Sequence, residues 1–122
     1  MYDSIFLLLA LLFAKHWYVD FVNQTDEEIQ YKGVYLDWRG VKHSLKHGIG
    51  TFICLWAVTG WPNVEFAFFI GSLDFILHYH IDWVKMNYGN RDIRTPQFWN
   101  HVGLDQMAHQ LCYIGFAGLT IL

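Results

Sequence analysis

The chain has 122 residues, 54% hydrophobic and 16% charged, with a mean hydropathy of +0.20. That length allows one domain, and the charge falls well short of the roughly 25% with which a soluble domain coats its surface. Six Trp, seven Tyr and ten Phe exclude disorder, while a net charge of -3 and a pI near 6.1 speak against a nucleic-acid module. A small all-α integral membrane protein is the expectation, with a soluble bundle of strongly apolar helices as its alternative.

The first apolar segment runs from about Ser4 to Val22. Its stretch Ile5 to Ala14 has the length of a signal-peptide core, but Asp3 stands where Lys or Arg would be needed and a small-x-small cleavage site is missing. It is read as a first membrane helix, interrupted by Lys15, His16 and Asp20. The polar connection Thr25 to His43 opens with Thr25-Asp-Glu-Glu, a helix start with acidic residues in its first turn. Ser44 to Trp61 and Val64 to Met86 form the next two segments, and the Gly and Pro of Thr59-Gly-Trp-Pro62-Asn make them an antiparallel hairpin. A second polar connection, Asn87 to His101, contains Gly89-Asn90 and Pro96, and Val102 to Leu122 completes the chain. Each segment is near the ~20 residues that cross a ~30 Å hydrocarbon core as helix. The predicted fold is therefore one antiparallel four-helix transmembrane bundle over residues 1–122, with helices at about 4–22, 44–61, 64–86 and 102–122. Cys54 and Cys112 lie inside apolar runs, where cysteine acts as a small hydrophobe.

All eight Lys and Arg residues lie in or beside the two longer connections, and none is found at the termini or in the short turn. The positive-inside rule then puts both longer loops in the cytoplasm and the termini outside. Trp61 falls at the outer interface, and Trp17, Trp38, Trp83 and Trp99 fall towards the inner one.

Ionisable residues inside the segments come in pairs four apart, and each segment brings one pair: His16 and Asp20, His43 and His47, His78 and Asp82, Asp105 and His109. That separation puts both members on one helix face. Under the alternating topology His16, His47, His78 and His109 lie ~18 to 21 Å below the outer face, in one layer, at 1.5 Å per residue. Asp20, His43, Asp82 and Asp105 form a second layer one turn nearer the cytoplasm. The interval between successive members of the histidine layer is always 31 residues, which reflects equal helix-plus-loop lengths. A charge at this depth costs at least ~2.5 to 3.5 kcal/mol on insertion scales, so these side chains should face the bundle interior and meet partners. Five imidazoles and three carboxylates offer many lone pairs and few protons, which one or two divalent ions would satisfy. Mixed His and Asp donors suit Zn, Fe or Mn, and the absence of Cys from the cluster argues against a thiolate site.

Around these eight, Asp74 lies one turn outward of His78 and can accept a hydrogen bond from Thr51 or Tyr113, or bind a second metal. Gln24 and Gln106 can orient ligands or substrate. Lys85 can pair with Asp82 or present a cation to an anionic head group. His80 and His101 fall off these faces and are read as interfacial. Lys15, close to mid-membrane, has no evident partner.

The pattern His16-x3-Asp20-x3-Gln24, His43-x3-His47, His78-x3-Asp82-x2-Lys85 and Asp105-Gln106-x2-His109 resembles a domain-of-unknown-function family of small integral membrane proteins from bacteria and their phages. The resemblance extends from His16 to His109. It implies a multi-pass protein of a bacterial, or phage-infected host, inner membrane. The family is in turn distantly similar to predicted membrane-bound metal-dependent hydrolases.

The leading functional expectation is a metal-dependent hydrolase acting on a lipid or head-group substrate at the cytoplasmic leaflet, with Asp20, Asp82 or Asp105 moving protons where an ion leaves them free. A di-iron-type membrane oxidoreductase is the enzymic alternative, although the chain has a single HxxxH. A proton or metal-ion conduit is the alternative from another class. It needs a polar route outward, and above the histidine layer there are only Asp74, Thr51 and Tyr113. Polar packing without enzymatic activity is the remaining reading.

Overall fold

An apolar run free of Gly and Pro starts the chain as helix. In the structure, a computed structural model that describes residues 2–122, α1 spans Tyr2–Trp17 and continues into a π-helical turn, Tyr18–Val22. Met1, where the expected domain begins, lies outside the described residues. The turn closes through the Asn23 amide, which donates to the Tyr18 carbonyl at 2.8 Å.

Helix α2 (Asp26–Tyr31) starts where Thr25-Asp-Glu-Glu predicts. The Thr25 hydroxyl accepts from the Glu28 amide and the Glu28 carboxylate accepts from the Thr25 amide, a reciprocal cap. Helix α3 (Trp38–Thr59) begins earlier than the expected Ser44, because the Asp37 side chain caps it by accepting from the Arg39 amide. The Arg39 guanidinium, hydrogen-bonded to the same carboxylate, holds Asp37 down at about 2, so the cap stays charged at neutral pH. Gly60, at φ 76°, takes the left-handed turn that ends α3, and a single 3-10 turn, Trp61–Asn63, leads into α4 (Val64–Tyr88). Helix α5 (Pro96–Leu119) also begins earlier than the expected Val102. Thr95 caps it and Pro96 takes the first position, where its missing N–H costs nothing. No strand occurs among the described residues.

Helix α1 packs on α3 and α5, and α4 packs on the same two, so the four long helices close a ring. Its apolar half is built from Leu8 and Leu12 near the start of α1, Leu55 near the end of α3, Ala67 and Ile70 near the start of α4, and Tyr113 and Phe116 late in α5. Successive long helices therefore run antiparallel. Gly48 on α3 faces Gly71 on α4, and a Cβ on either would stand 2.7 Å from the other's carbonyl oxygen. This close approach lies next to His47 and brings α3 and α4, with His43, His47 and His78, together.

The remaining half of the interior is polar. Among the described residues thirteen polar or charged ones are buried against ten hydrophobic ones, while thirty large hydrophobic side chains are exposed. Two segments, Asp3–Val22 and Trp61–Tyr88, are long and apolar enough to cross a membrane. The 22 residues of α3 and the 24 of α5 are long enough, but Arg39, Lys42, His43, Lys46 and His47 in the one, and the histidines, amides and Asp105 of the other, lower their hydropathy. Composition thus supports two of the four expected spans.

Candidate metal centre

All eight paired residues are buried, and the bundle brings them to one place. The end of α1 and its π-helical turn bring His16 and Asp20, the start of α3 brings His43 and His47, the later part of α4 brings His78 and Asp82, and α5 brings Asp105 and His109. Wide π turns recur at functional sites, and this one carries the carboxylate on which most of the imidazoles converge. The Asp20 Oδ1 atom lies 2.8 Å from His47 Nε2, 3.1 Å from His43 Nε2 and 3.7 Å from His78 Nε2. Its Oδ2 atom lies 3.0 Å from His16 Nε2. Asp82 divides its oxygens in the same way. Oδ2 is 3.4 Å from both His43 Nε2 and His78 Nε2, and Oδ1 is 3.2 Å from His109 Nε2. Asp105 Oδ1 stands 3.5 Å from His109 Nε2. Three rings stack, with centres 3.5 Å apart for His47 on His78 and 4.0 Å for His78 on His109.

These separations can be compared with the geometry of a coordination shell. Donors bound at 2.0 to 2.1 Å in a tetrahedron stand about 3.3 to 3.4 Å from one another, close to the values above. Two groups have donor atoms all within 4.8 Å of each other: Asp20, His43, His47 and His78, and His78, Asp82 and His109. Hydrogen bonds account for part of the cluster, His47 Nε2 with Asp20 Oδ1 and His109 Nε2 with Asp82 Oδ1, but not for the rest. Among the described residues, neither ring nitrogen of His43 or His78 has a hydrogen-bond partner, nor does Asp82 Oδ2 or Asp105 Oδ1. The atoms are near each other yet not aligned as donor and acceptor, which is how ligands of a common ion stand, each lone pair aimed at the ion and not at its neighbour. Buried polar atoms without partners are costly, and a divalent ion would take one nitrogen of each ring together with the carboxylate oxygens beside it. The donor set fits such an ion.

Outward of the histidine layer, Lys15 has the partner that its own helix does not supply. Its Nζ atom donates to Asp74 Oδ2 at 3.0 Å and to the Tyr113 hydroxyl at 3.0 Å, and lies 3.2 Å from His47 Nδ1. Asp74 also accepts from Thr51 at 2.6 Å. Of the two partners expected for Asp74, Thr51 is found. Tyr113 instead lies 2.8 Å from His16 Nδ1, so its hydroxyl can accept from that nitrogen and orient His16 from behind its Nε2 atom.

On the loop side, Lys85 pairs with Asp105 Oδ2 at 3.0 Å, not with Asp82. Asp82 instead faces Lys32, whose Nζ is 3.3 Å from Oδ2. The Gln24 side chain accepts from Lys32 and donates to the Asp20 carbonyl. Gln106 connects His16 to Asp105, with 2.9 Å from His16 Nε2 to its carbonyl oxygen and 3.0 Å from its amide to Asp105 Oδ2. The sequence reading missed Lys32 and the fully buried Glu28, which holds Lys46 at 2.7 Å. A signal existed in the capping box itself, which fixes α2 and so turns Lys32 inward. His80 stays off the site, bonded to Tyr35 and the Ile76 carbonyl, and His101 accepts from the Asn90 amide.

Residues 7–121 match a family described as "Protein of unknown function (DUF3307)". The chain belongs to that family. No curated protein and no solved structure matches the chain. Membership in DUF3307 covers all eight paired residues and assigns no chemistry to them, so the functional reading rests on the site.

Proposed function

We propose that this DUF3307 protein is a multi-pass membrane enzyme whose buried centre holds divalent metal ions, Zn, Fe or Mn, and hydrolyses an ester or phosphoester of a lipid or its head group at the cytoplasmic leaflet. The observation that carries the reading is the orphaned set of buried donors, above all His43 and His78, between two carboxylates whose oxygens face different imidazoles. One ion belongs among Asp20, His43, His47 and His78. A second belongs at Asp82 and His109, with Asp105 and His16 beside it. Bound ions would supply a Lewis acid that lowers the pKa of water and polarises a carbonyl or phosphoryl oxygen. In the hydrolysis, water's oxygen bonds to that carbon or phosphorus and its proton goes to the departing alcohol. Asp105, whose Oδ2 already meets Lys85 and Gln106, is the carboxylate placed to pass that proton. A conduit is disfavoured because the polar chain stops at Asp74, Thr51 and Tyr113 and gives way to Leu8, Leu12, Leu55 and Ile70.

Crossing by all four long helices is supported by the inverted distribution of side chains, with hydrophobic groups outward and His and Asp inward. The bacterial, or phage-infected host, inner membrane is inferred from the motif resemblance alone. Orientation follows from the basic residues at the loop ends. Reporter fusions after Leu122 and within the 89–95 connection should read opposite sides, outside and cytoplasmic. Both fusions on one side would refute the four-span reading, and a cytoplasmic Leu122 would move the site to the other leaflet.

Elemental analysis of the detergent-purified protein tests the metal. Wild type should carry a transition metal in stoichiometric amount, and His47→Ala should lose most of it. Metal-free wild type, after purification without chelator and with each of the three metals supplied, would refute the proposal.

A further inference from the structure

Two hollows meet at the loop end of α4 and α5. The first, about 460 Å³, is a groove between the two helices, walled by Leu77, Ile81, Val84, Leu104 and Ala108 and reaching Lys85, His101 and Asp105. The second, about 440 Å³, lies between α2 and the 89–95 connection, and its charged lining is entirely cationic: Lys32, Lys85 and Arg91. Lys85 and His101 line both, so an apolar groove and a basic chamber adjoin. Both touch the candidate centre, since Lys85 lies 3.0 Å from Asp105 and Lys32 lies 3.3 Å from Asp82.

Charge decides what the chamber would take. Asp82 pairs with Lys32, Asp105 with Lys85 and Asp74 with Lys15, and in number the remaining carboxylate, Asp20, is matched by Arg91, which pairs with none of them. Every divalent ion bound then adds two uncompensated positive charges in a poorly screened setting, which an anionic ligand would offset. A small soluble phosphate would meet that need without a hydrocarbon-lined groove. The groove opens outward, with Val84 and Leu104 each half exposed, on the face where acyl chains would lie.

We propose that chamber and groove together hold one anionic lipid, its phosphate-bearing head group against Arg91, Lys85 and Lys32 and one acyl chain along the α4–α5 groove. The head-group linkage then lies beside Asp82 and Asp105. This inference rests on the metal-centre reading for the surplus positive charge, and it narrows the substrate class to an anionic amphiphile entering sideways from the bilayer.

The test is lipid retention by native mass spectrometry of the protein released from phosphatidylcholine nanodiscs with and without phosphatidylglycerol, with metal measured on the same preparation. Metal-loaded wild type should retain phosphatidylglycerol in preference to phosphatidylcholine. Arg91→Gln should reduce that preference about five-fold, the ~1 kcal/mol of one basic side chain near anionic lipid. Filling the groove by Val84→Trp, or by Leu104→Trp, should abolish retention of either lipid with metal content unchanged. Equal retention of the two lipids by metal-replete protein would overturn the lipid site alone. Displacement of phosphatidylglycerol by soluble glycerol 3-phosphate at comparable concentration would overturn it in favour of a soluble ligand. Wild type that retains phosphatidylglycerol but never binds metal would instead overturn the metal reading.

Discussion

Asp82→Asn is expected to give a folded, correctly inserted protein that has lost most of its metal. The substitution keeps the shape and the hydrogen-bonding capacity of the side chain and removes only its charge and one lone-pair oxygen. Asp82 meets His43, His78 and His109 through two different oxygens, so both donor groups lose a ligand or a neighbour at once. Loss of a supporting residue alone typically weakens metal affinity 10- to 100-fold, and loss of a direct carboxylate ligand should cost more than about 100-fold. Metal stoichiometry and hydrolytic activity against lipid substrates should fall together, while yield stays near wild type. If the cluster is polar packing only, the amide should serve as well as the carboxylate, so unchanged metal content and unchanged activity would favour packing.

The inward face of each long helix was legible because an apolar helix can carry His and Asp only where they turn away from hydrocarbon. A separation of four residues fixes which face that is, and all four pairs lie buried and in mutual contact. The meeting of the four histidines was legible as well, since equal helix-plus-loop lengths bring them level, and the His16 ring lies 5.3, 5.7 and 5.0 Å from those of His47, His78 and His109. Contacts between helices were not. Spacing along one helix says nothing about rotation against its neighbour, so Lys15 had no visible partner although Asp74 lies 3.0 Å away across 59 positions. For the same reason spacing could offer Lys85 only Asp82, one turn away on its own helix, or a head group, whereas it reaches Asp105 on α5. The early starts of α3 and α5 were written in Asp37 and in Thr95-Pro96, but in a chain this apolar the edge of the hydrophobic run is the stronger signal, and it does not coincide with the cap.

Lys15 and Asp74 should show the largest effect on stability. The pair is almost completely buried, with side-chain exposures of 7% and 2%, and under the proposed membrane-spanning arrangement no water stands ready to solvate either charge. Lys15→Met removes the cation and leaves Asp74 with the Thr51 hydroxyl as its remaining partner. An abandoned buried charge of this kind costs about 3 to 5 kcal/mol. Thermal or denaturant unfolding of the detergent-solubilised protein should register that loss for Lys15→Met, and a comparable one for Asp74→Leu, which strands the lysine instead. The double substitution should recover most of the stability, because two apolar side chains of similar volume replace a pair whose attraction was largely offset by its desolvation. The resulting cycle isolates the coupling between the two residues. Metal content separates this role from a second one. Since Lys15 also touches His47 and Tyr113, the double variant should bind metal about 10- to 100-fold more weakly while remaining stable. A double variant as unstable as the singles would show that Lys15 acts chiefly through His47 and Tyr113, and that the ion pair is incidental to tying α1 to α4 across the bundle.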